Sequence, residues 1–356
     1  MVTISLCMIF KNEEEDLSRC LESAKEIADE IIIVDTGSSD GTKEIAYKYT
    51  NSVLDFKWIN DFSAARNFAY SHATMDYQMW LDADDIIPKE EAEKIKVLKQ
   101  SLDLTIDIVT MKYHTHFDSN GNPVLTSTRE RLTKRENNYK WQDPVHECIP
   151  LAGNILYSDI AIWHQKPETK HNDTTRNLDI YEALEREGKR LTPRQLYYFA
   201  RELKDHALWA KSAYYFKRFL DTGEGWYEDN IAACFNLSIC YEMLSEEDKV
   251  LPILLQSFSY DSPRPEICCQ IGYYYKNIQN YQTAFDWFHI AARLDSPRSI
   301  GFILQDYWGF IPNIECCVCC CYLKQFDKAK EFNRKAGLLQ PNNQAVLQNE
   351  KYLASV

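Results

Sequence analysis

An alternation of apolar runs and helical segments over the first 85 residues constrains the fold of this chain more than any other feature. The apolar runs predict buried strands, and the segments between them carry apolar residues at helical spacing. The predicted strands cover 3–9, 30–34, 53–58 and 77–81, and the predicted helices cover 12–25, 42–49 and 61–72. Strands that alternate with helices at this pitch form parallel β-α-β units in one sheet. The N-terminal part is therefore predicted to be α/β, with a Rossmann-like and mostly parallel sheet.

Polar residues directly follow three of the predicted strands. Asn12 and Glu13 follow the first strand, Asp35 follows the second, and Asp82 and Asp84 follow the fourth. Ligands of parallel sheets bind outside the carboxyl ends of the strands. These residues are therefore candidates for one binding site.

Asp82 and Asp84 form a DxD motif. One carboxylate can accept a hydrogen bond from a sugar hydroxyl, and the other can ligate a hard cation through a single oxygen. Mg²⁺ or Mn²⁺ needs only one or two protein carboxylates when the phosphates of a substrate supply the remaining oxygens. The alternative interpretation is a helix cap before Pro88, for which Asp85 is available.

Arg66 lies one turn into the predicted helix between the third and fourth strands. At that position it could reach a diphosphate as a bidentate cation. The alternative is a surface arginine on an amphipathic helix. Asp61 or Ser63 is expected to cap the start of this helix.

From Ile106 onward the pattern predicts antiparallel strands. Strand signals over 106–113 and after Pro123 predict a hairpin around Asn120-Gly121. A last strand of the domain is predicted over about 155–164.

The polar segment over 166–192 is interpreted as a connecting helical arm. It separates a predicted domain over 1–165 from a second one over 193–356. The second domain is predicted to be all-α, because small and aromatic residues recur there at the spacing of tetratricopeptide repeats. The positions with this spacing are Gly272, Tyr275, Tyr281, Ala284, Phe288 and Ala291, and then Cys317, Cys320, Phe326, Ala329 and Ala336. Concave helical solenoids commonly hold extended peptides or partner proteins, so a polypeptide partner and a homodimer through the repeats are both expectations.

Composition limits the classes of partner and compartment. The formal net charge of −13 argues against broad binding to nucleic acid. The sequence has no apolar run long enough for a membrane span, and its opening residues do not resemble a secretory signal. Many of the 12 cysteines are adjacent in sequence, which favours a reducing compartment, and cytoplasm is the expectation.

The run CCVCCC over 316–321 contains CxxC spacing, which allows a zinc site as one interpretation. The favoured interpretation is a set of buried, inert cysteines, because the run falls on a predicted repeat helix with no second CxxC pair nearby.

Five motifs together carry a family resemblance: SLCMIFKNEE, EIIIVDTGSSDGT, DFSAARN, WLDADD and VHE. With them the chain resembles family 2 glycosyltransferases of the GT-A fold. It is most similar to a bacterial cytoplasmic subgroup that joins this domain to tetratricopeptide repeats and includes S-glycosyltransferases of bacteriocin peptides.

The resemblance implies a metal-dependent, inverting transfer from a nucleotide sugar, usually a UDP-sugar. It implies that the backbone at Phe10 and the residues Asn12, Glu13 and Asp35 hold the nucleoside. Many family members carry two acids after the second strand, whereas Thr36 follows Asp35 here. The contact to the base is therefore left open.

For the rest of the donor, the resemblance implies that Arg66 and Asn67 meet the base or the diphosphate. Asp82 would meet the ribose or the sugar, and Asp84 would ligate the metal. His164 at the end of the last strand is either an extra metal ligand or a structural histidine.

The resemblance implies that the segment 145–147 lies on the acceptor side. Glu147 is the first choice for the general base there, with His146 and Asp143 as rivals. The alternative is an ordinary loop pair at 146–147. Two other functions are weighed: an enzyme of cell-surface polysaccharide or glycolipid synthesis, and a non-catalytic repeat scaffold with a degenerate transferase domain.

Overall fold

The computed structural model of the protein describes residues 1–117, 121–165, 175–295 and 301–356. Its contacts divide the chain into two compact units, Met1–Ala183 and Leu184–Val356. This division falls inside the predicted arm over 166–192. Residues 166–174 of that arm and Asn120 of the predicted hairpin turn lie outside the described residues.

A mixed sheet forms the centre of the first unit. Its strands are β1 (Ile4–Phe10), β2 (Glu30–Asp35), β3 (Val53–Asp55), β4 (Tyr77–Trp80), β5 (Asp85–Ile86), β6 (Ile108–Phe117), β7 (Pro123–Lys134) and β8 (Ile155–His164). They are arranged in the order β3-β2-β1-β4-β7-β6-β8-β5. The first four strands pair in parallel, as predicted, whereas β7 runs antiparallel to both β4 and β6. The predicted α/β fold and the hairpin are therefore confirmed.

The helices of this unit are α1 (Leu17–Ala24), α2 (Thr42–Ala46), α3 (Phe62–Ser71) and α4 (Lys89–Ser101). The division between the units falls within the next helix, α5 (Arg176–Arg186). Helix α1 begins later than predicted, because Asn12 adopts a left-handed backbone with φ 56° and the residues after it form turns. Asp61 is the cap of α3, since its Oδ1 accepts a hydrogen bond from the backbone N–H of Ala64 at 2.9 Å.

Strand β1 explains why helices cover both faces of the sheet. All seven of its residues are buried, which is the pattern of a strand covered on both sides. Leu6 and Met8 pack with Leu17 and Leu21 of α1 on one face, whereas Cys7 and its neighbours pack with α3 on the other. Helix α3 is therefore held against the face of the sheet that carries Trp80.

The second unit consists of antiparallel helix pairs resembling tetratricopeptide repeats. The pairs are α6 (Pro193–Asp205) with α7 (Trp209–Asp221), α8 (Tyr227–Met243) with α9 (Glu247–Gln256), α10 (Pro265–Asn277) with α11 (Tyr281–Ala291), and α12 (Phe310–Tyr322) with α13 (Phe326–Leu339), followed by α14 (Gln344–Leu353). A left-handed residue stands at the turn within each pair: Ala207, Ser245, Gln279 and Lys324. A left-handed residue thus recurs in all four pairs, whereas the residue types at the small and aromatic positions vary.

Small residues in these pairs allow aromatic residues to fill the space between helices. A Cβ added at Gly272 would lie 2.8 Å from ring carbons of Phe288, so the predicted pairing of small and aromatic positions is confirmed. Cys319 and Cys320 are fully buried, and burial raises their pKa values to about 12 and about 11. Within the described part of the chain, the cysteines form no group of three or more metal-ligating residues, in agreement with buried thiols. Every described helix is too short or too polar to cross a membrane.

Asp229 in α8 provides a test of burial in the second unit. It is 8% exposed, and burial raises its pKa to about 6 although Arg194 and Arg201 act to lower it. Because the folded state binds this proton more tightly than the unfolded chain, Asp229 costs stability as the pH rises from 3.8 to about 6. Asp229→Asn should therefore gain about 2 kcal/mol in free energy of unfolding, relative to wild type, between pH 4 and pH 7.

Urea unfolding at the two pH values measures this gain. Asp248→Asn, at an exposed position in α9, is the control and should show the wild-type pH dependence. An equal effect of Asp229→Asn at both pH values would contradict the prediction.

Candidate active site

Arg66 joins two carboxylates that come from distant parts of the first unit. Its Nη2 donates to Asp82 Oδ1 at 2.7 Å, and its Nε donates to Glu147 Oε1 at 2.6 Å. The Arg66 side chain is 7% exposed, and those of Glu147 and Asp82 are 13% and 32% exposed. The alternative of a surface arginine is therefore wrong. The structure places Asp82 and Glu147 on either side of one buried cation.

The charges of these groups stabilise one another. Burial alone would lower the pKa of the Arg66 guanidinium, but Asp82 and Glu147 raise it above its ordinary value. Burial alone would raise the pKa of Asp82, but Arg66 holds it below its ordinary range. At neutral pH the structure therefore holds Arg66 as a cation and Asp82 as a carboxylate.

Two indole rings flank this guanidinium. The Arg66 Cζ lies 4.9 Å from the ring centroid of Trp80 and 4.8 Å from that of Trp141. Trp141 is also bound to the next residue of α3: Asn67 Oδ1 accepts from Trp141 N–H at 2.9 Å, and Asn67 Nδ2 donates to the Trp141 carbonyl at 3.0 Å. The amide of Asn67 is thus engaged with the backbone, and its predicted contact to a donor stays a prediction.

A short loop presents Glu147. Gln142 and Cys148 pair at its base through reciprocal backbone hydrogen bonds of 2.9 and 3.1 Å. Within the loop, Asp143 and His146 adopt left-handed backbones with φ 71° and φ 54°. The predicted base and both its rivals therefore share one constrained turn.

His146 differs from Glu147 in its surroundings. Its ring lies parallel to that of Tyr181, with centroids 6.4 Å apart. Glu147 instead forms its ion pair with Arg66.

A second cluster lies next to Asp82 in the chain. His164 Nδ1 lies 3.2 Å from Asp84 Oδ1 and 3.1 Å from Asp85 Oδ1. Burial alone would lower the pKa of His164, but its hydrogen bonds with Asp84 and Asp85 raise it to about 9. The Asp85 Oδ2 accepts the backbone N–H of Asp82 at 3.0 Å, so the cluster is joined directly to the Arg66 network.

These residues fit a divalent metal. Asp84, Asp85 and His164 each offer one ligand atom, and the three atoms lie within 4.8 Å of one another. Carboxylate oxygens with one imidazole nitrogen suit Mn²⁺ or Mg²⁺. The structure thus places Asp84 next to His164, which the sequence offers either as an extra metal ligand or as a structural histidine.

Asp85 is the residue that the sequence analysis assigned differently. Pro88 precedes α4 without any side-chain cap, so the interpretation of Asp85 as a helix cap is wrong. Asp85 is fully buried, where its Oδ1 accepts from the Tyr113 hydroxyl at 2.8 Å and its Oδ2 lies 3.2 Å from Arg131 Nη1. The three acids within 82–85 are visible in the sequence and could have pointed to Asp85. The buried partners of Asp85, Tyr113 and Arg131, lie on β6 and β7, far away in the sequence.

The predicted nucleoside residues lie at the carboxyl ends of β1 and β2. Asp35 Oδ1 accepts hydrogen bonds from the N–H and the hydroxyl of Ser38 at 2.9 and 2.7 Å. The Asn12 N–H donates to the same hydroxyl at 3.0 Å, and Glu13 N–H donates to Thr42 Oγ1 at 2.8 Å. The two loops are therefore tied to each other.

Phe10 completes this group. It is buried opposite Asp35 in the parallel register, and its carbonyl accepts from both the N–H and the hydroxyl of Thr36. Thr36 thus links β1 to the loop after β2.

Comparison with known proteins gives the class of the first unit. Residues 5–158 match the model of glycosyl transferase family 2. The first unit therefore contains a segment that is similar to family 2 glycosyltransferases.

Two relatives are each similar to part of the chain. SunS, an SPbeta prophage-derived glycosyltransferase of Bacillus subtilis, is 29% identical over 213 residues, covering 56% of this chain and 49% of SunS. A TPR repeat-containing protein of Synechococcus elongatus is 37% identical over 150 residues, covering 42% of this chain and 36% of that protein. The chain thus spans about half or less of the length of these relatives.

Among solved structures, YrrB, a TPR protein with an unusual peptide-binding site, is 20% identical. The similarity covers 51% of this chain and 84% of the YrrB chain, with a TM-score of 0.39.

Removing Arg66 should destabilise the first unit. Arg66→Ala removes the cation that Asp82 and Glu147 share and leaves both carboxylates without it. Loss of one member of a buried ionic network costs about 3 kcal/mol. Urea unfolding measures the change. Lys94→Ala, which removes a lysine that is 44% exposed and paired with Glu91, is the control and should cost less than about 0.5 kcal/mol. Equal losses in the two variants would contradict a structural role for the Arg66 bridge.

Proposed function

We propose that this chain is a metal-dependent, inverting glycosyltransferase that moves a sugar from a UDP-sugar to a peptide or protein acceptor. The observation that carries the proposal is the continuity of the site. A possible metal cluster, Asp84 with Asp85 and His164, is joined through the Asp82 backbone to the Arg66 bridge that ends at Glu147. Such a site joins the residues proposed to bind the sugar donor and the residue proposed to activate the sugar acceptor in one hydrogen-bonded network.

On the donor side, Asp82 is proposed to accept hydrogen bonds from the ribose or the sugar, because its carboxylate is ionised and a third of it is exposed. Phe10, Asn12, Glu13 and Asp35 are proposed to hold the nucleoside at the ends of β1 and β2. Arg66 also retains a buried Nη1 without a hydrogen-bond partner among the described residues, and this N–H can serve an oxygen of the diphosphate.

Asp84, Asp85 and His164 would hold Mn²⁺ or Mg²⁺, which when bound offsets the negative charge of the departing diphosphate. Asp84 is the principal ligand in this proposal, because Asp85 already binds Arg131 and Tyr113. His164 must lose its proton to act as a ligand.

On the acceptor side, Glu147 is proposed to take the proton of the attacking group. The Arg66 Nε holds Oε1 of the carboxylate, and Oε2 is the oxygen proposed to take the proton. An acceptor thiol would need less assistance than a hydroxyl, because part of it is already ionised near neutral pH.

The repeat unit is proposed to select the acceptor, since helical solenoids commonly present extended surfaces to polypeptides. A cytoplasmic location and a homodimer through the repeats belong to the same proposal. A panel of peptides, lipid-linked sugars and polysaccharides incubated with UDP-sugars and followed by mass spectrometry tests the acceptor class. Transfer to glycan or lipid alone would replace the peptide acceptor.

Asp84→Ala should lose the metal site. Binding of Mn²⁺, measured by electron paramagnetic resonance without any donor, should weaken at least about tenfold. Chelation of the wild-type protein should abolish transfer, and added Mn²⁺ should restore it. Glu93→Ala removes an exposed acid of α4 and should bind Mn²⁺ like the wild type. Unchanged Mn²⁺ binding in Asp84→Ala would remove Asp84 from the ligand set.

Glu147→Gln should separate donor binding from transfer. The amide cannot accept the proton, so the transfer rate should fall by about 100-fold or more while the affinity for UDP, measured by calorimetry, stays close to wild type. Asp143→Asn and His146→Gln are matched controls within the same loop and should cost less. A larger loss in either control would move the role of base to that residue.

A further inference from the structure

We propose that Trp141 is a positioning residue, which clamps Arg66 so that its guanidinium binds Asp82 and Glu147 simultaneously. The inference rests on the proposed function, because it assigns Trp141 a part in aligning the donor side with the acceptor side. In this proposal Trp141 acts on Asp82 and Glu147 only through its contact with Arg66.

The two hydrogen bonds of Arg66 need a fixed guanidinium plane. Different nitrogens serve the two carboxylates, Nη2 for Asp82 and Nε for Glu147, so rotation of the group would weaken both bonds together. Trp80 and Trp141 approach the guanidinium at nearly equal distances of 4.9 and 4.8 Å, and their rings are 5.3 Å apart at 83°. An aromatic face attracts a guanidinium electrostatically and restricts its orientation.

Trp141 is also fixed to the helix that carries Arg66. The side-chain amide of Asn67 forms two hydrogen bonds with the Trp141 backbone. Consecutive residues of α3 thus supply the cation and hold the residue that clamps it. Trp141 immediately precedes the loop that is closed by Gln142 and Cys148 and carries Glu147. The same contacts therefore fix the start of that loop.

Trp141 can be altered with fewer side effects than Trp80. The Trp80 ring contacts Arg129 and Arg131 in addition to Arg66, so its replacement would disturb three cations. Trp141 is 3% exposed, and its indole N–H has no hydrogen-bond partner among the described residues. Trp141→Phe therefore removes no hydrogen bond and changes mainly the size and strength of the aromatic face.

The experiment compares Trp141→Phe and Trp141→Leu in the full chain, with kcat and KM measured for the UDP-sugar and acceptor that the wild type uses. Misplacement of the bridge should lower kcat about tenfold in Trp141→Leu, and the phenylalanine should rescue part of this loss. The KM for the donor should stay within about twofold, because Asp85 still holds the Asp82 backbone.

Trp287→Phe and Trp287→Leu are the matched controls, since Trp287 stacks on Phe258 in the second unit. They should leave kcat unchanged, and thermal unfolding verifies that each variant is folded. If Trp141→Leu does not fold, the phenylalanine variant decides alone.

A wild-type kcat in folded Trp141 variants would overturn the clamp while leaving the proposed function intact. Equal losses in the Trp141 and Trp287 variants would also overturn it. A wild-type chain that transfers no sugar would overturn the proposed function, and the clamp with it.

Discussion

The bridge from Asp82 through Arg66 to Glu147 is the interaction on which the rest of the site depends. One buried cation between two carboxylates is stable only if its hydrogen bonds are well directed and its apolar surroundings are closed. Here both conditions are met by Trp80, Trp141 and the hydrogen bonds to each carboxylate. The site is therefore also part of the structural core of the first unit.

The order and pairing of the strands determine where the residues of the site lie. Parallel strands bring their carboxyl ends to one edge, so Phe10, Asp35 and the acids after β4 lie at the same edge. The antiparallel strand β7 then adds Arg131 beneath Asp85, and β8 delivers His164 opposite Asp85 in the β5–β8 pairing. The parallel half thus supplies the predicted acids, and the antiparallel half supplies the groups that orient them.

Much of the fold could be predicted from the sequence, because burial on both faces of β1 and the cap at Asp61 are local signals. The DxD motif could be predicted for the same reason. The role of Asp85 and the two partners of Arg66 could not. Arg66 and Glu147 are 81 residues apart, and no pattern within one helix or strand reports such a contact.

The sequence by itself determined which segments are strands and helices, where acids follow strands, and that the second half repeats small and aromatic positions. The tertiary structure decided which charges meet. It placed Arg66 in the interior between two carboxylates, made Asp85 a buried centre of hydrogen bonds, and gathered Asp84 with His164. The physical reason is that periodicity depends on neighbours along the chain, whereas the pairing of buried charges depends on strand order and register, which join residues far apart in sequence.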